Sequence, residues 1–314
     1  MPFPRYVNYG AGAILPNTFT AAERDDHVRA AYDSWKSKYL VAAGRDADGR
    51  QLFRIALGKP GTANHTVTVS EGQGYGMVTV AHMAGYDPAA QEIFDGLWRF
   101  RLAHSSEIDA RLMDWRVPGG DGNDSAFDGD CDMAYGLLLA GAQFGTGGAI
   151  DYQVAFDQTI AGILASTIGP NSRLPMLGDW TEPNGATYNQ DTPRTSDFMP
   201  GHFRAFRRAT GDSDWDAVVA ACQDVIDTLQ TSYSPDTGLL PDFVQEGPAP
   251  AAPGFLEDPH DGDYYYNAGR DPWRLGTDAL LNGDLSSAAQ ARKITEWAES
   301  ATSGDPRALR AGYK

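Results

Sequence analysis

The sequence predicts an all-α domain, and three observations carry that expectation. Apolar residues recur at helical spacing in about nine runs spread along the 314 residues. Strand-like alternation is confined to two short stretches, "QLFRIAL" (51–57) and "HTVTV" (65–69). No linker or shift of composition interrupts the chain, so residues 1–314 read as a single domain.

The elements follow in order. "TAAE" (20–23) is a capping box, with Thr20 and Glu23 placed to satisfy each other's backbone N–H at a helix start. It opens an amphipathic run through Trp35 and Leu40. "SEGQ" (70–73) is a second box-like start, leading into "GYGMVTVAHMAGY". Asp87 and Pro88 form a cap and first-turn pair for "AAQEIFDGLWRFRLAH". Further helical runs lie near 130–145, 149–167, 197–210, 214–231, 264–282 and 286–301. The tract "EGPAPAAPGF" (246–255) reads as a semi-rigid loop.

Composition narrows the function. With 25 basic and 42 acidic residues, the net charge of −17 argues against nucleic acid or an anionic membrane as partner. No apolar run is long enough to span a bilayer. The opening "MPFPRYVNYG" lacks the charged and apolar regions of a leader, so the protein is cytosolic or its signal has been removed. Cys131 and Cys222 sit far apart in apolar helical patterns, which suits buried free thiols and offers neither a disulfide framework nor metal spacing. Seven Trp and fourteen Tyr are enough both to fill a core and to stack on sugar rings.

Two segments gather carboxylates at helix starts. Glu71 in "SEGQGYGM" (70–77) either complements the helix dipole or acts as a proton donor. Glycines at 72, 74 and 76 weaken that helix and are useful where a ligand must approach the backbone. "AFDGDCDMAYGLLLAGAQF" (126–144) crowds Asp128, Asp130 and Asp132 together. A calcium loop would need Gly and Glu where Met133 and Leu139 stand. The structural alternative makes Asp128 a cap and leaves the other two solvated.

Both segments resemble those of the bacterial glycoside hydrolases of family 8. Glu71 matches that family's general acid, and Asp128 matches the aspartate that holds the sugar at the cleavage point. Phe127 stands where the family pattern has Ser or Thr. "LGDW" (177–180), "RTSDFMPGHFRAF" (194–206, with Asp197), "YSPDTGLLPDFV" (233–244) and "YYYNAGRDPWRLGTD" (264–278) are similar to family segments in the same order. The resemblance implies an (α/α)6 barrel of twelve helices. Nine runs and an end at "GDPRALRAGYK" imply a chain that is C-terminally truncated, nicked, or completed by a second chain carrying the last helices.

The base is less direct. Many members place an Asp where this chain has Asn267, and an amide cannot accept the proton. The branch with Asn at that place takes its base from a Glu in the loop upstream, which in "FLEDPHDGDYYYNA" is Glu257. Glu246 is the reserve candidate, with Asp258 and Asp261 behind it. For substrate stacking the candidates are Trp180 and Trp115, with Tyr264, Tyr265 and Tyr266 as cleft residues. Asn267, Asp197 and Arg270 complete the binding set, and Arg270 either pairs with a catalytic carboxylate or closes a helix-end ion pair. Trp35, Trp98 and Trp215 fall in helical patterns and read as core.

The resemblance therefore implies a secreted, inverting endo-β-1,4-glycan hydrolase that needs no metal or cofactor and has polysaccharide as its partner. β-Glucan is the expected substrate, with chitosan as the alternative. From another class, a non-catalytic glycan-binding protein would account for Asn267.

Overall fold

The computed structural model describes residues 3–4, 17–119 and 123–314; most of the segment read for a leader lies outside these. Of the described residues, 52% are helical and 9% are in strands. Two compact units can be distinguished, Met1–Ser166 with Gly178–Trp180, and Thr167–Leu177 with Thr181–Lys314.

The first unit contains α1 (Ala21–Tyr39), α2 (Ser70–His82), α3 (Ala90–Leu102), α4 (Phe127–Phe144) and α5 (Tyr152–Ser166). The capping box forms as expected: the Thr20 hydroxyl accepts from the Glu23 N–H at 3.2 Å and Glu23 accepts from the Thr20 N–H at 2.7 Å. "QLFRIAL" supplies β2 (Gln51–Ile55), which pairs antiparallel with β1 (Leu40–Arg45). "HTVTV" is mostly not a strand. Only β3 (Thr68–Val69) is extended, paired with β4 (Arg116–Val117), after a 3₁₀ turn over Ala63–Thr66.

Two expected helix starts are corrected. Val69 holds the N-cap position of α2 and Ser70 is already helical, with no side-chain cap. The strand pairing of β3 and β4 removes the need for one, because the Ser70 N–H is satisfied by the Trp115 carbonyl at 2.9 Å. Asp87 does not cap α3 either. Ala89 holds the N-cap position of α3; Asp87 Oδ1 accepts from the Ala89 N–H at 2.9 Å in the turn ahead of the helix, while its Oδ2 accepts from the Tyr32 hydroxyl at 2.6 Å and Lys36 at 2.5 Å.

Helices α2 and α4 cross at very small residues. A Cβ on Gly74 would lie 2.8 Å from the Gly129 carbonyl oxygen, and one on Gly129 would lie 2.4 Å from Ser70 Oγ and 2.5 Å from its carbonyl carbon. Gly76 is closed off by Ile55 Cγ1, 2.5 Å from where its Cβ would be. Gly74 and Gly76 thus serve close packing, a correction to the expectation that they admit a ligand, whereas a Cβ on Gly72 would meet nothing nearer than 3.7 Å. Gly129→Ala should cost about 2–3 kcal/mol by overpacking and lower Tm by roughly 5 °C in a thermal melt. Gly141→Ala, whose nearest neighbour would be Tyr152 Cβ at 3.9 Å, should be tolerated.

The second unit contains α6 (Pro200–Thr210), α7 (Asp214–Ser232), α8 (Asp271–Asn282) and α9 (Leu285–Ala301). Pro200 takes the first turn of α6, where its missing N–H costs nothing. The run expected from 264 becomes α-helical only at Asp271, after a 3₁₀ turn over Ala268–Arg270, since Tyr264 is held in a β-bridge with Tyr313. The tract "EGPAPAAPGF" contains a hairpin turn, between β5 (Val244–Gln245) and β6 (Ala249–Pro250), with Gly247 at φ +120°. Cys131 and Cys222 are buried free thiols, and Trp98 and Trp215 are core, whereas Trp35 is only half-buried. No helix among the described residues is long and apolar enough to cross a membrane.

Candidate active site

The close crossing of α2 and α4 organises the first cluster. Ser70 rests on Gly129, so Glu71 and Asp128 are each one residue away from that contact, at the starts of two helices. The Glu71 carboxylate accepts from the Tyr75 hydroxyl at 2.8 Å, one helical turn on. Trp115 is joined to the same place by its carbonyl bond to the Ser70 N–H. Trp180 follows Asp179, whose buried carboxylate accepts from the Ser125 N–H at 2.8 Å, the Ser106 hydroxyl at 2.6 Å and the Asp109 N–H at 3.2 Å. Those bonds anchor the "LGDW" loop beside the residues that lead into α4. Four predicted residues, Glu71, Asp128, Trp115 and Trp180, are thereby tied to one pair of helix starts. Both indoles are half-buried, leaving surface for stacking.

The aspartates of α4 are not solvated. Asp128, Asp130 and Asp132 are 3%, 1% and 2% exposed. Asp128 does not cap the helix; Ala126 holds that position and Asp128 accepts from the adjacent Gly129 N–H at 2.8 Å. Burial raises the Asp130 carboxyl to about 8, against the opposing pull of Arg101 and the Met113 N–H. A proton held there at neutral pH relieves the crowding of like charges that the spacing implies. Nearby, Asp124 is raised to about 6 by burial and by Asp179 and Asp114.

The second cluster surrounds Glu257. Its Oε1 accepts from Arg194 Nη2 at 3.0 Å; its Oε2 accepts from Asn267 Nδ2 at 3.0 Å and from the Tyr266 hydroxyl in a short bond. The Asn267 amide is oriented from behind. Arg270 Nη2 donates to its Oδ1 at 2.8 Å and to Ser196 Oγ at 2.7 Å, which points the NH₂ of Asn267 at Glu257. Burial and the neighbouring Arg274 pull Arg270 down to about 10, still a cation at neutral pH. Burial and the Glu257 carboxylate push the Tyr266 phenol up, keeping it a hydrogen donor. Asp197 is buried and lies 4.0 Å from Arg194.

The amide that disqualifies Asn267 as a base thus makes it a donor to the carboxylate that can serve instead. The direct ion pair comes from Arg194, absent from the sequence-level site, while Arg270 acts through Asn267. Arg194 and Ser196 lie within a segment singled out for its resemblance, but nothing local assigns them to a loop some sixty residues away.

Other candidates are placed elsewhere. Asp261 is 2% exposed and accepts the N–H groups of Leu256, Glu257 and Asp258, which leaves it no role as a base. Asp258 accepts from the His260 N–H at 2.6 Å inside the same turn. Glu246 is exposed at the β5–β6 turn, on a groove with Asp191 and Asp224 that Glu257 does not line. Of the three tyrosines only Tyr266 touches Glu257. Tyr265 packs on the His260 ring at 4.7 Å, and Tyr264 lines a separate cavity of about 340 Å³ with Tyr233, Trp297 and Tyr313. Among the described residues no group of His, Cys, Asp and Glu is arranged to hold a metal.

Comparison with known proteins identifies the family. The family description "Glycosyl hydrolases family 8" matches residues 1–309. A β-glucanase from Niallia circulans is 41% identical over the whole chain, which spans 75% of that relative. An endoglucanase from Bacillus sp. (strain KSM-330) is 38% identical, again over the whole chain and 68% of the relative. The apo structure of a β-1,3-1,4-glucanase from Paenibacillus sp. X4 superposes with a TM-score of 0.90 at 39% identity, covering all of this chain and 81% of that one. The mostly helical architecture is that expected of the (α/α)6 barrel. On its sequence and its fold together, the chain belongs to glycoside hydrolase family 8.

Proposed function

We propose that the chain is an inverting endo-β-glucan hydrolase acting on β-1,4-linked or mixed-linkage glucan. The observation that carries this reading is the 41% identity, along the full chain, to a protein named a β-glucanase. A β-1,3-1,4-glucanase at 39% identity adds to it and favours glucan over chitosan.

In this reading Glu71 protonates the glycosidic oxygen as the bond to the leaving sugar breaks. Glu257 takes a proton from the water that attacks the anomeric carbon from the opposite face. An inverting enzyme keeps its two carboxyls about 6.5–9.5 Å apart so that this water fits, and it forms no covalent intermediate. Asp128 positions sugar and water, and Trp115 and Trp180 stack on pyranose rings. Tyr266, Asn267 and Arg194 hold the Glu257 carboxylate, and Asp197 and Arg270 support that ring. The bond from Asn267 to Glu257 supports a base in place of the usual Asp and so favours the enzymatic reading over a glycan-binding protein. Because a glucan polymer does not pass an intact membrane, we place the enzyme's work outside the cell.

The test is release of reducing ends from barley β-glucan, carboxymethyl cellulose and chitosan side by side, with NMR of the first-formed anomer. The glucans should be cut and give the α-anomer. Faster cleavage of chitosan would overturn the substrate, a β-anomer the mechanism, and no cleavage at all the enzymatic reading.

A further inference from the structure

Glu257 stands on a loop, where a base would ordinarily be imprecise, yet the backbone on both sides of its contact with Asn267 is gripped by a buried carboxylate. Asp261 Oδ2 accepts the N–H groups of Leu256 at 2.7 Å and Glu257 at 3.0 Å, and its Oδ1 accepts that of Asp258 at 3.0 Å. Asp242 accepts the N–H groups of Tyr265 and Ala268 on Oδ1 at 3.0 and 2.8 Å, and that of Asn267 on Oδ2 at 3.1 Å. The two are 2% and 1% exposed. They are also joined to each other through the main chain: the Phe243 N–H donates to the Asp261 carbonyl at 2.8 Å and the Asp242 N–H to the Asp263 carbonyl at 2.9 Å.

We propose that Asp261 and Asp242 form a two-carboxylate clamp that positions the base, one fixing the backbone of Glu257 and the other the backbone of its amide partner Asn267. This rests on the reading of Glu257 as the base. Neither aspartate touches substrate; both are positioning residues. Six backbone donors on two carboxylates make charge-assisted bonds of 2.7–3.1 Å in a buried setting, where such bonds are strongest. A loop held in this way keeps Glu257 within the few tenths of an ångström that proton abstraction from a bound water requires. The ring of Arg194, Tyr266 and Asn267 sets the rotamer, and the clamp sets where the side chain starts.

The experiment compares Asp261→Asn, Leu256→Pro and Glu257→Ala, singly and with Asp261→Asn added to Glu257→Ala, on barley β-glucan. Asp261→Asn turns one acceptor oxygen into a donor. Leu256→Pro deletes the shortest N–H bond from the other side without entering the core, and so tests the clamp even if Asp261→Asn fails to fold. Both should lower kcat by roughly 10–100-fold with KM within about twofold. Asp261→Asn should cause no further loss in the Glu257→Ala background. If Glu257→Ala keeps its activity, the assignment of the base fails, and the clamp with it. If Glu257→Ala is inactive while Asp261→Asn, or Leu256→Pro where the former does not fold, keeps the parent kcat, the clamp alone is overturned. An additive loss in the double variant would mean that Asp261 acts on the fold and not through Glu257, which overturns it as well.

Discussion

Glu71→Gln is expected to lower kcat on β-glucan by about 10³-fold or more, while Tm moves by no more than a degree or two. The size follows from the chemistry. Positioned proton transfer contributes about 10²–10⁴-fold, or roughly 3–5 kcal/mol of barrier, and the glucose leaving group is a poor one without it. Glutamine keeps an acceptor for the Tyr75 hydroxyl and the packing at the start of α2, so the fold loses little. An aryl β-cellobioside with a dinitrophenolate leaving group needs no proton. On that substrate the same variant should recover most of its rate. Equal losses on both substrates would remove Glu71 from the role of acid.

Glu257→Ala is expected to lose as much activity, but on both kinds of substrate, since water must be deprotonated whatever the leaving group. Glu246→Ala, at the exposed tip of the β5–β6 turn, should retain the parent rate. The cost in stability should be small. The pair with Arg194 is partly exposed, with 27% of the Glu257 side chain accessible, and such pairs contribute about 1 kcal/mol or less. Azide, which attacks without giving up a proton, should partly restore turnover and yield an α-glycosyl azide. If Glu246→Ala were the inactive variant, the base would have to be reassigned.

The helices were legible because their cause is local. Apolar periodicity depends on neighbours three and four residues away, and the Thr20 box depends on Glu23 alone. What failed to read was decided at long range. Ser70 resembles a cap, but the pairing of β3 with β4 hands its N–H to Trp115, and its hydroxyl is pressed onto Gly129. Asp87 has the right neighbour in Pro88 and keeps one oxygen on the Ala89 N–H, yet its other oxygen is shared by Tyr32 and Lys36, more than fifty residues away. The same division runs through the site. Glu71, Asp128 and Glu257 belong to recognisable segments. That Arg194, sixty-three residues away, pairs with Glu257 depends on a chain crossing that no local pattern encodes, and the shorter-range bonds of Asn267 to Glu257 and of Asp261 to the amides of its own loop depend on a loop conformation that spacing alone does not give. Tyr264 and Tyr266 are two residues apart with similar neighbours in sequence, and only the fold sends one to Glu257 and the other to the cavity beside Trp297.

Both thiols lie inside the helical core, Cys131 at 0% and Cys222 at 1% exposure, and burial pushes the Cys222 thiol well above its ordinary value. Neither is accessible to a reagent in solution. The protein is therefore already a clean background for maleimide chemistry. A single Glu246→Cys substitution would give one addressable handle at a hairpin tip, onto which a fluorophore or a surface tether can be placed without first removing native cysteines from the core.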